Sequence, residues 1–136
     1  MTERVFTVPG RVRGKRRHRM GRGHAYKDQE TVAYESWVRL CYQQAYPGQT
    51  PLEGPLGCVI HAYYKVPKSW PKKKQAKALS GEIRPGKPDA DNIAKALTDP
   101  LNNLAYSDDY FIADLRVIKL YCAEEPFVVV RLWELH

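Results

Sequence analysis

Aspartate is concentrated in one part of the chain, together with a lysine at helical spacing. Asp89 and Asp91 are separated by one residue, so both carboxylates point to the same side of an extended segment. Lys95 lies four residues after Asp91, on the same face of a helix that begins there. Asp108 and Asp109 follow where that helix should have turned back, and Asp109 is the preferred third carboxylate. Mg²⁺ binds such oxygens together with waters and a substrate phosphate, so the pattern predicts metal-assisted phosphodiester chemistry.

Each part of this pattern also has an ordinary structural explanation. Asp91 or Asn92 can cap a helix, and Asp91 can form an ion pair with Lys95. Residues 107–109 have the composition of a turn. The functional interpretation gains support from two basic segments that flank the acids, because a metal nuclease needs carboxylates for the ion and cations for the nucleic-acid strand.

Charge is segregated along the 136 residues, which carry 22 Lys and Arg, 15 Asp and Glu, and a net charge of +7. Residues 4–27 hold nine cations and no acid, and residues 65–87 hold eight cations beside Glu82. Six of the seven aspartates fall within residues 89–114. Basic runs of this density favour contact with a polyanion. The residues predicted to bind DNA are Arg11, Arg13, Lys15, Arg16, Arg17, Arg19, Arg22, Lys72, Lys73 and Lys74.

These side chains must be positioned by helices and strands. The order of the predicted helices and strands indicates one α+β domain over residues 1–136, with a mixed β-sheet packed against two main helices. The predicted elements are a strand at 4–8, a basic arm or loop at 10–27, a helix from Asp28 to about Tyr46, a strand at 56–66, a Lys- and Pro-rich loop at 67–88 with a helical turn at 75–79, a helix from Asp91 kinked at Pro100, and a C-terminal hairpin of 111–122 and 127–135. In the first helix, the residues that recur at helical spacing and predict the buried face are Ala33, Trp37, Leu40, Cys41 and Ala45.

Several protein classes are excluded by composition. The longest apolar stretches, such as residues 127–130, are far shorter than the roughly 20 residues of a membrane span, so neither a membrane-spanning nor a secreted protein is expected. Cys41, Cys58 and Cys122 are an odd number without metal-ligand spacing and are predicted to be reduced core residues. The last predicted strand carries apolar side chains on both faces, which suits either a core alone or a core and an interface.

One longer motif combines these residues with others. It consists of Pro88-Asp89-Ala90-Asp91-Asn92-Ile93-Ala94-Lys95, then Asp99, then Leu101-Asn102-Asn103, then Ser107-Asp108-Asp109, then Arg116-Val117-Ile118-Lys119. Together these residues resemble the RusA family of Holliday junction resolvases, and residues 8–22 with the following helix also fit that family's layout. Tyr110 and Phe111 depart from the family pattern, which often has a small residue and then Gln, and Pro100 stands where a helix former is usual.

The resemblance implies a crossover junction endodeoxyribonuclease that depends on Mg²⁺, with Mn²⁺ as a substitute. It further implies a homodimer of mixed α/β fold that binds a four-way DNA junction in the cytoplasm of bacteria, encoded by host or phage, and that acts in recombination and repair. The family's metal-binding and catalytic aspartates fall on Asp89, Asp91 and Asp109, and its essential lysine falls on Lys95. Two alternatives stay open: a non-catalytic basic nucleic-acid-binding module, and a metal nuclease for other branched or single-stranded DNA.

Overall fold

The chain folds into a four-stranded sheet, a two-stranded ribbon and three α-helices, as seen in a computed structural model that describes residues 2–15, 19–21, 24–26 and 28–135. The elements are β1 (Glu3–Pro9), β2 (Arg19–Gly21), β3 (His24–Tyr26), α1 (Gln29–Ala45), β4 (Leu56–Lys65), α2 (Lys72–Leu79), α3 (Ala90–Thr98), β5 (Ile112–Cys122) and β6 (Phe127–Glu134). Two 3₁₀ turns, Asp99–Leu101 and Asp109–Phe111, lie between α3 and β5. The predicted α+β class is confirmed.

The four-stranded sheet has the order β1-β6-β4-β5. Strand β4 pairs antiparallel with β6 and parallel with β5, so Ile60 lies opposite Val130 on one side and Val117 on the other. Alternate residues of these strands point to one face of the sheet, which α1 and α3 cover. The buried residues of that face include Phe6, Val8, Cys58, Ile60, Val128, Val130 and Leu132. Burial of this face supplies the main apolar contribution to folding.

The predicted C-terminal hairpin is wrong. Strands β5 and β6 have the expected positions in the sequence, but they do not pair, because β4 lies between them. β4 is apolar on its core face and has two edges available for pairing, so it can accept a parallel neighbour and an antiparallel neighbour at once. The connection from β4 to the parallel strand β5 contains α2 and α3, as such crossovers usually contain helices. The short connector at 123–126 then carries the chain past β4 to β6.

The helix α1 begins where predicted but buries a different face. Asp28 is its N-cap, and its Oδ1 accepts a hydrogen bond from the Thr31 amide at 2.8 Å. Trp37 and Leu40 are 38% and 43% exposed, so most of the predicted apolar stripe faces outward. The residues that α1 buries are Thr31, Tyr34, Glu35, Val38, Cys41 and Tyr42. Tyr42 explains the difference, since its ring packs edge-on against Phe6 at 5.3 Å between centroids.

Two charged segments are more ordered than predicted. The basic arm at 10–27 lacks a hydrophobic period, yet part of it forms the ribbon of β2 and β3. Each of these strands has only three residues, which is too short to display an alternation of apolar and polar side chains. In the Lys- and Pro-rich segment, α2 spans a full Lys72–Leu79 rather than one turn at 75–79.

Pro100 ends α3 instead of kinking it. The helix stops at Thr98, and Pro100 lies in the following 3₁₀ turn. Proline lacks the amide that a continuing helix needs and clashes with the preceding turn, so termination is the less costly solution. The helix also begins earlier than predicted, with Asp89 rather than Asp91 at the N-cap position.

The prediction that the cysteines are reduced core residues holds for two of the three, because Cys122 lies outside the core. Cys41 and Cys58 are buried, Cys122 is half-buried, and all three are free thiols. Burial raises the pKa of the Cys58 thiol to about 12, which keeps it protonated and unreactive. Among the described residues, no helix combines the length and the apolar character that a membrane crossing requires.

Candidate active site

A cleft of about 1090 Å³ separates the start of α3 from α1 and from the extended segment at residues 11–15. Its α3 side carries Asp89, Asp91, Lys95 and Asp99. The opposite side carries the cations Arg11, Arg13 and Lys15 together with Glu35. Acidic and basic side chains that are far apart in sequence therefore meet across one opening.

Helix α3 and its N-cap supply three of the four predicted catalytic residues. Asp89 occupies the N-cap position, but within the described part of the chain its carboxylate makes no capping hydrogen bond. Asp91 lies in the first turn, where the helix dipole favours a negative charge. Lys95 follows one turn later on the same face, and Asp99 another turn later. These spacings place a line of alternating charge along the cleft.

Asp99 is held at the end of α3 by a buried tyrosine. The Tyr106 hydroxyl donates a hydrogen bond to the Thr98 carbonyl oxygen at 2.6 Å, and Tyr106 is fully buried. The Thr98 hydroxyl in turn donates to the carbonyl oxygen of Ala94 at 2.8 Å. The bond from Tyr106 satisfies a carbonyl group that a helix terminus leaves without an intrahelical partner. The backbone that carries Asp99 is therefore anchored in the core.

Asp109 is positioned by the 3₁₀ turn before β5. Its amide donates to the side-chain oxygen Oδ1 of Asn102 at 2.8 Å. Asp108 caps the same turn, since its Oδ1 accepts from the Tyr110 amide at 3.1 Å. Asp108 thus has the structural role, and Asp109 presents its carboxyl group to Asp99. This arrangement is compatible with the preference for Asp109 over Asp108 as a functional residue.

The carboxyl groups of Asp99 and Asp109 share a hydrogen bond, and their pKa values move apart. The hydrogen bond with Asp99, partial burial and the neighbouring Asp108 together raise the pKa of Asp109 to about 7. For Asp99, partial burial opposes ionisation, but hydrogen bonds from Asp109 and Lys15 outweigh it and lower its pKa. Two carboxylates in contact cannot both ionise freely, so one holds the charge and the other the proton.

Lys15 reaches across the cleft to the same acids. Its Nζ donates to Oδ2 of Asp99 and lies 3.8 Å from Oε2 of Glu35. Burial opposes the ammonium charge, but Asp99, Glu35 and Asp109 outweigh this effect and raise the pKa of Lys15. Lys15 therefore stays charged and neutralises part of the acidic cluster.

The predicted nucleic-acid contacts lie in several separate parts of the chain. Arg11 and Arg13 are exposed at the cleft, whereas Lys15 is engaged with acids. Lys72, Lys73 and Lys74 form the exposed first turn of α2, with the Lys74 ammonium 4.0 Å from the Trp70 ring centroid. Arg19 belongs to β2. Arg16, Arg17 and Arg22 lie outside the described residues.

The donor set fits a hard divalent cation in its chemistry. All the acids at or beside the cleft offer carboxylate oxygens, the ligands that Mg²⁺ prefers. Contact with Asp99 raises the pKa of Asp109, and a bound cation would oppose that effect. Within residues 2–15, 19–21, 24–26 and 28–135, no group of three or more His, Cys, Asp and Glu side chains is arranged to hold a metal ion. The assignment of Asp89, Asp91 and Asp109 as ligands therefore stays a prediction.

Three contributors to this site are not evident from local sequence patterns. Asp99 stands in the family motif without an assigned role, although its spacing of two helical turns from Asp91 places it on the same face. Asn102, which also stands in the family motif without an assigned role, positions Asp109. Tyr106 positions Asp99, and no local pattern distinguishes it from an ordinary core residue. Contacts of this kind depend on how the 3₁₀ turns fold back on α3.

The cleft of this α+β protein thus places an acidic helix opposite a basic segment. The family model for endodeoxyribonuclease RusA matches residues 9–133, almost the whole chain. The chain belongs to the RusA endodeoxyribonuclease family. It is also 39% identical over 128 residues to the uncharacterized protein YqaN of Bacillus subtilis (strain 168), covering 92% of this chain and 87% of YqaN.

Proposed function

We propose that the chain is a divalent-metal-dependent endodeoxyribonuclease that resolves four-way (Holliday) DNA junctions in recombination and repair. The observation that carries the proposal is the cleft, where Asp91, Lys95 and Asp99 on one side face Arg11 and Arg13 on the other. Acids suited to a metal ion and cations suited to a phosphate backbone are complementary needs of one reaction. Its place of action would be the bacterial cytoplasm, where the DNA lies.

The predicted catalytic residues and the exposed arginines of the cleft then have roles in phosphodiester hydrolysis. Asp89, Asp91 and Asp109 would hold Mg²⁺, or Mn²⁺ in its place. When bound, the ion would supply an activated water and would neutralise charge that develops on the phosphate. Lys95 stabilises the same negative charge from the helix. The exposed guanidinium groups of Arg11 and Arg13 bind and orient the DNA backbone.

The proposed enzyme acts as a homodimer, because paired nicks in a two-fold junction require two sites related by a two-fold axis. The sheet face opposite the helices supports this part of the proposal. It carries Tyr63 stacked on Phe127 at 4.6 Å, Val129, and the Trp133 ring packed over Gly57. These outward side chains are only half-buried, in contrast to the fully buried residues of the inner face. A second copy of the chain could cover them.

The deciding experiment compares labelled synthetic four-way junctions with a matched linear duplex while Mg²⁺ is titrated. Wild type should cut the junction symmetrically, with products mapped to the nucleotide. Asp91→Asn should lose cleavage by about a hundredfold or more but retain binding. Asp114→Asn, an exposed aspartate on β5 outside the cleft lining, is the matched control and should cut normally.

Other results would assign other functions. Salt-sensitive binding without cleavage at any Mg²⁺ concentration would identify a non-catalytic nucleic-acid-binding module. Equal cutting of flaps, single strands and junctions would identify a nuclease without junction specificity. Normal cleavage by Asp89→Asn would remove the assigned metal site.

A further inference from the structure

Lys15 occupies a position that a DNA-contacting lysine would not need. Its ammonium group contacts Asp99 and lies within ion-pair distance of Glu35, and its side chain is only 17% exposed. Through Asp99 it also adjoins Asp109. Lys15 therefore faces the acids of the cleft rather than the solvent from which DNA would approach.

The backbone fixes this placement independently of the ion pair. The Lys15 amide donates to the carbonyl oxygen of Asn92 at 3.0 Å, which ties the segment at 11–15 to α3. The preceding residue, Gly14, lies so close to the start of α3 that a Cβ there would lie 2.6 Å from the Pro88 Cβ and 3.2 Å from the Asn92 Cβ. Only glycine permits this approach. The backbone path of residues 14 and 15 therefore places Lys15 next to Asp99.

We propose that Lys15 is the built-in counter-ion of the Asp99–Asp109 pair and competes with the divalent metal ion for it, so that Asp99 belongs to the metal-binding region and Lys15 is a positioning residue. The inference rests on the proposed metal-dependent function and adds two residues to it. A cation that touches a carboxylate lowers the local negative potential, and a divalent ion that arrives nearby is repelled by it. In exchange, the lysine keeps the acids correctly placed before the metal binds.

The test measures Mg²⁺ affinity directly by titration calorimetry, without DNA. Lys15→Met removes the charge and keeps most of the side-chain volume, so it should bind Mg²⁺ about tenfold more tightly than wild type. Lys15→Arg retains the charge and should bind as wild type does. Asp99→Asn should bind more weakly. Lys77→Met, on the exposed surface of α2, is the matched control and should leave the affinity unchanged.

A double variant separates direct competition from a general change in charge. If Lys15 acts through Asp99, then Lys15→Met in the Asp99→Asn background should change Mg²⁺ affinity by about twofold or less. A full tenfold gain in that background would overturn the role assigned to Asp99. Circular dichroism and thermal unfolding of each variant establish that the fold is retained.

Two negative results have different meanings. Unchanged Mg²⁺ affinity in a folded Lys15→Met protein would overturn the counter-ion role, while junction cleavage by wild type would still uphold the proposed function. A wild type that neither binds Mg²⁺ nor cuts DNA would overturn both. If Lys15→Met does not fold, then Lys15→Gln supplies the same comparison, and an affinity equal to wild type would again contradict the proposal.

Discussion

The carboxyl group of Asp109 shares a hydrogen bond with the carboxylate of Asp99. This contact joins the turn before β5 to the end of α3, two places that Asn102 and Tyr106 hold in position. The pair connects Asp109 to the cleft, because Asp99 itself lines that cleft beside Asp91 and Lys95. Asp99 therefore lies between the predicted ligands on α3, Asp89 and Asp91, and the predicted ligand Asp109.

The first prediction concerns the pH dependence of stability in metal-free protein. The folded-state pKa of Asp109, about 7, lies above the ordinary aspartate value of 3.8. The stabilisation from this raised pKa is fully present below the unfolded-state pKa and is lost as pH rises through about 7. The free energy of unfolding should therefore fall as pH rises through this window, by more in wild type than in Asp109→Asn. Urea denaturation with EDTA measures the difference.

Wild type and Asp109→Asn are compared at each pH, so the contributions of titrating groups that do not interact with Asp109 cancel in the difference. An identical pH dependence in wild type and Asp109→Asn would show that the Asp99–Asp109 hydrogen bond does not perturb the Asp109 carboxyl group.

The second prediction concerns the salt dependence of DNA binding. Arg11→Ala and Arg13→Ala should each weaken junction binding and reduce the slope of log affinity against log salt by about 0.9 for each DNA phosphate that the arginine neutralises in wild type. Arg39→Ala, on α1 outside the cleft lining, should leave the slope unchanged. Fluorescence anisotropy over a salt series provides the measurement. Slopes equal to wild type in both cleft variants would remove these arginines from the DNA surface.

The third prediction concerns the close approach of Gly14 to α3. In Gly14→Ala the new Cβ would meet the Pro88 Cβ at 2.6 Å and the Asn92 Cβ at 3.2 Å. The free energy of unfolding should fall by about 1–3 kcal/mol, and junction cleavage should fall because Lys15 is displaced. Gly86→Ala is the control, since nothing lies within 4 Å of its added Cβ. Equal stability of the two variants in urea would contradict the packing described.

The fourth prediction concerns the outer face of the sheet as a dimer interface. Val129→Asp places a charge on this half-buried face, opposite His61. Burying that charge between two copies is costly, so the variant should be a folded monomer in sedimentation equilibrium, whereas wild type should be a dimer. Leu79→Asp, an exposed apolar position on α2, should remain dimeric. A monomeric wild type would reject the dimer, and a dimeric, folded Val129→Asp would place its interface elsewhere.

Local patterns in the sequence were enough to find most elements and to predict much of the candidate site. The cap at Asp28, the apolar run that became β4, and the spacing of Asp89, Asp91 and Lys95 all depend on residues within a few positions of each other. Such features follow from helix and strand geometry alone. The acidic helix and the basic segment could therefore be recognised before any fold was known.

The tertiary structure decided what depends on distant partners. The pairing of β5 and β6 with β4 rather than with each other is a choice among apolar strands of similar composition, and no local period distinguishes them. The buried face of α1 was set in the same way, by its packing on Phe6. Only the return of the chain through the two 3₁₀ turns brought Asp109 to Asp99. Only the close path at Gly14 brought Lys15 to Asp99. A sequence specifies such contacts through the free energy of the whole fold, which is why its local patterns do not display them.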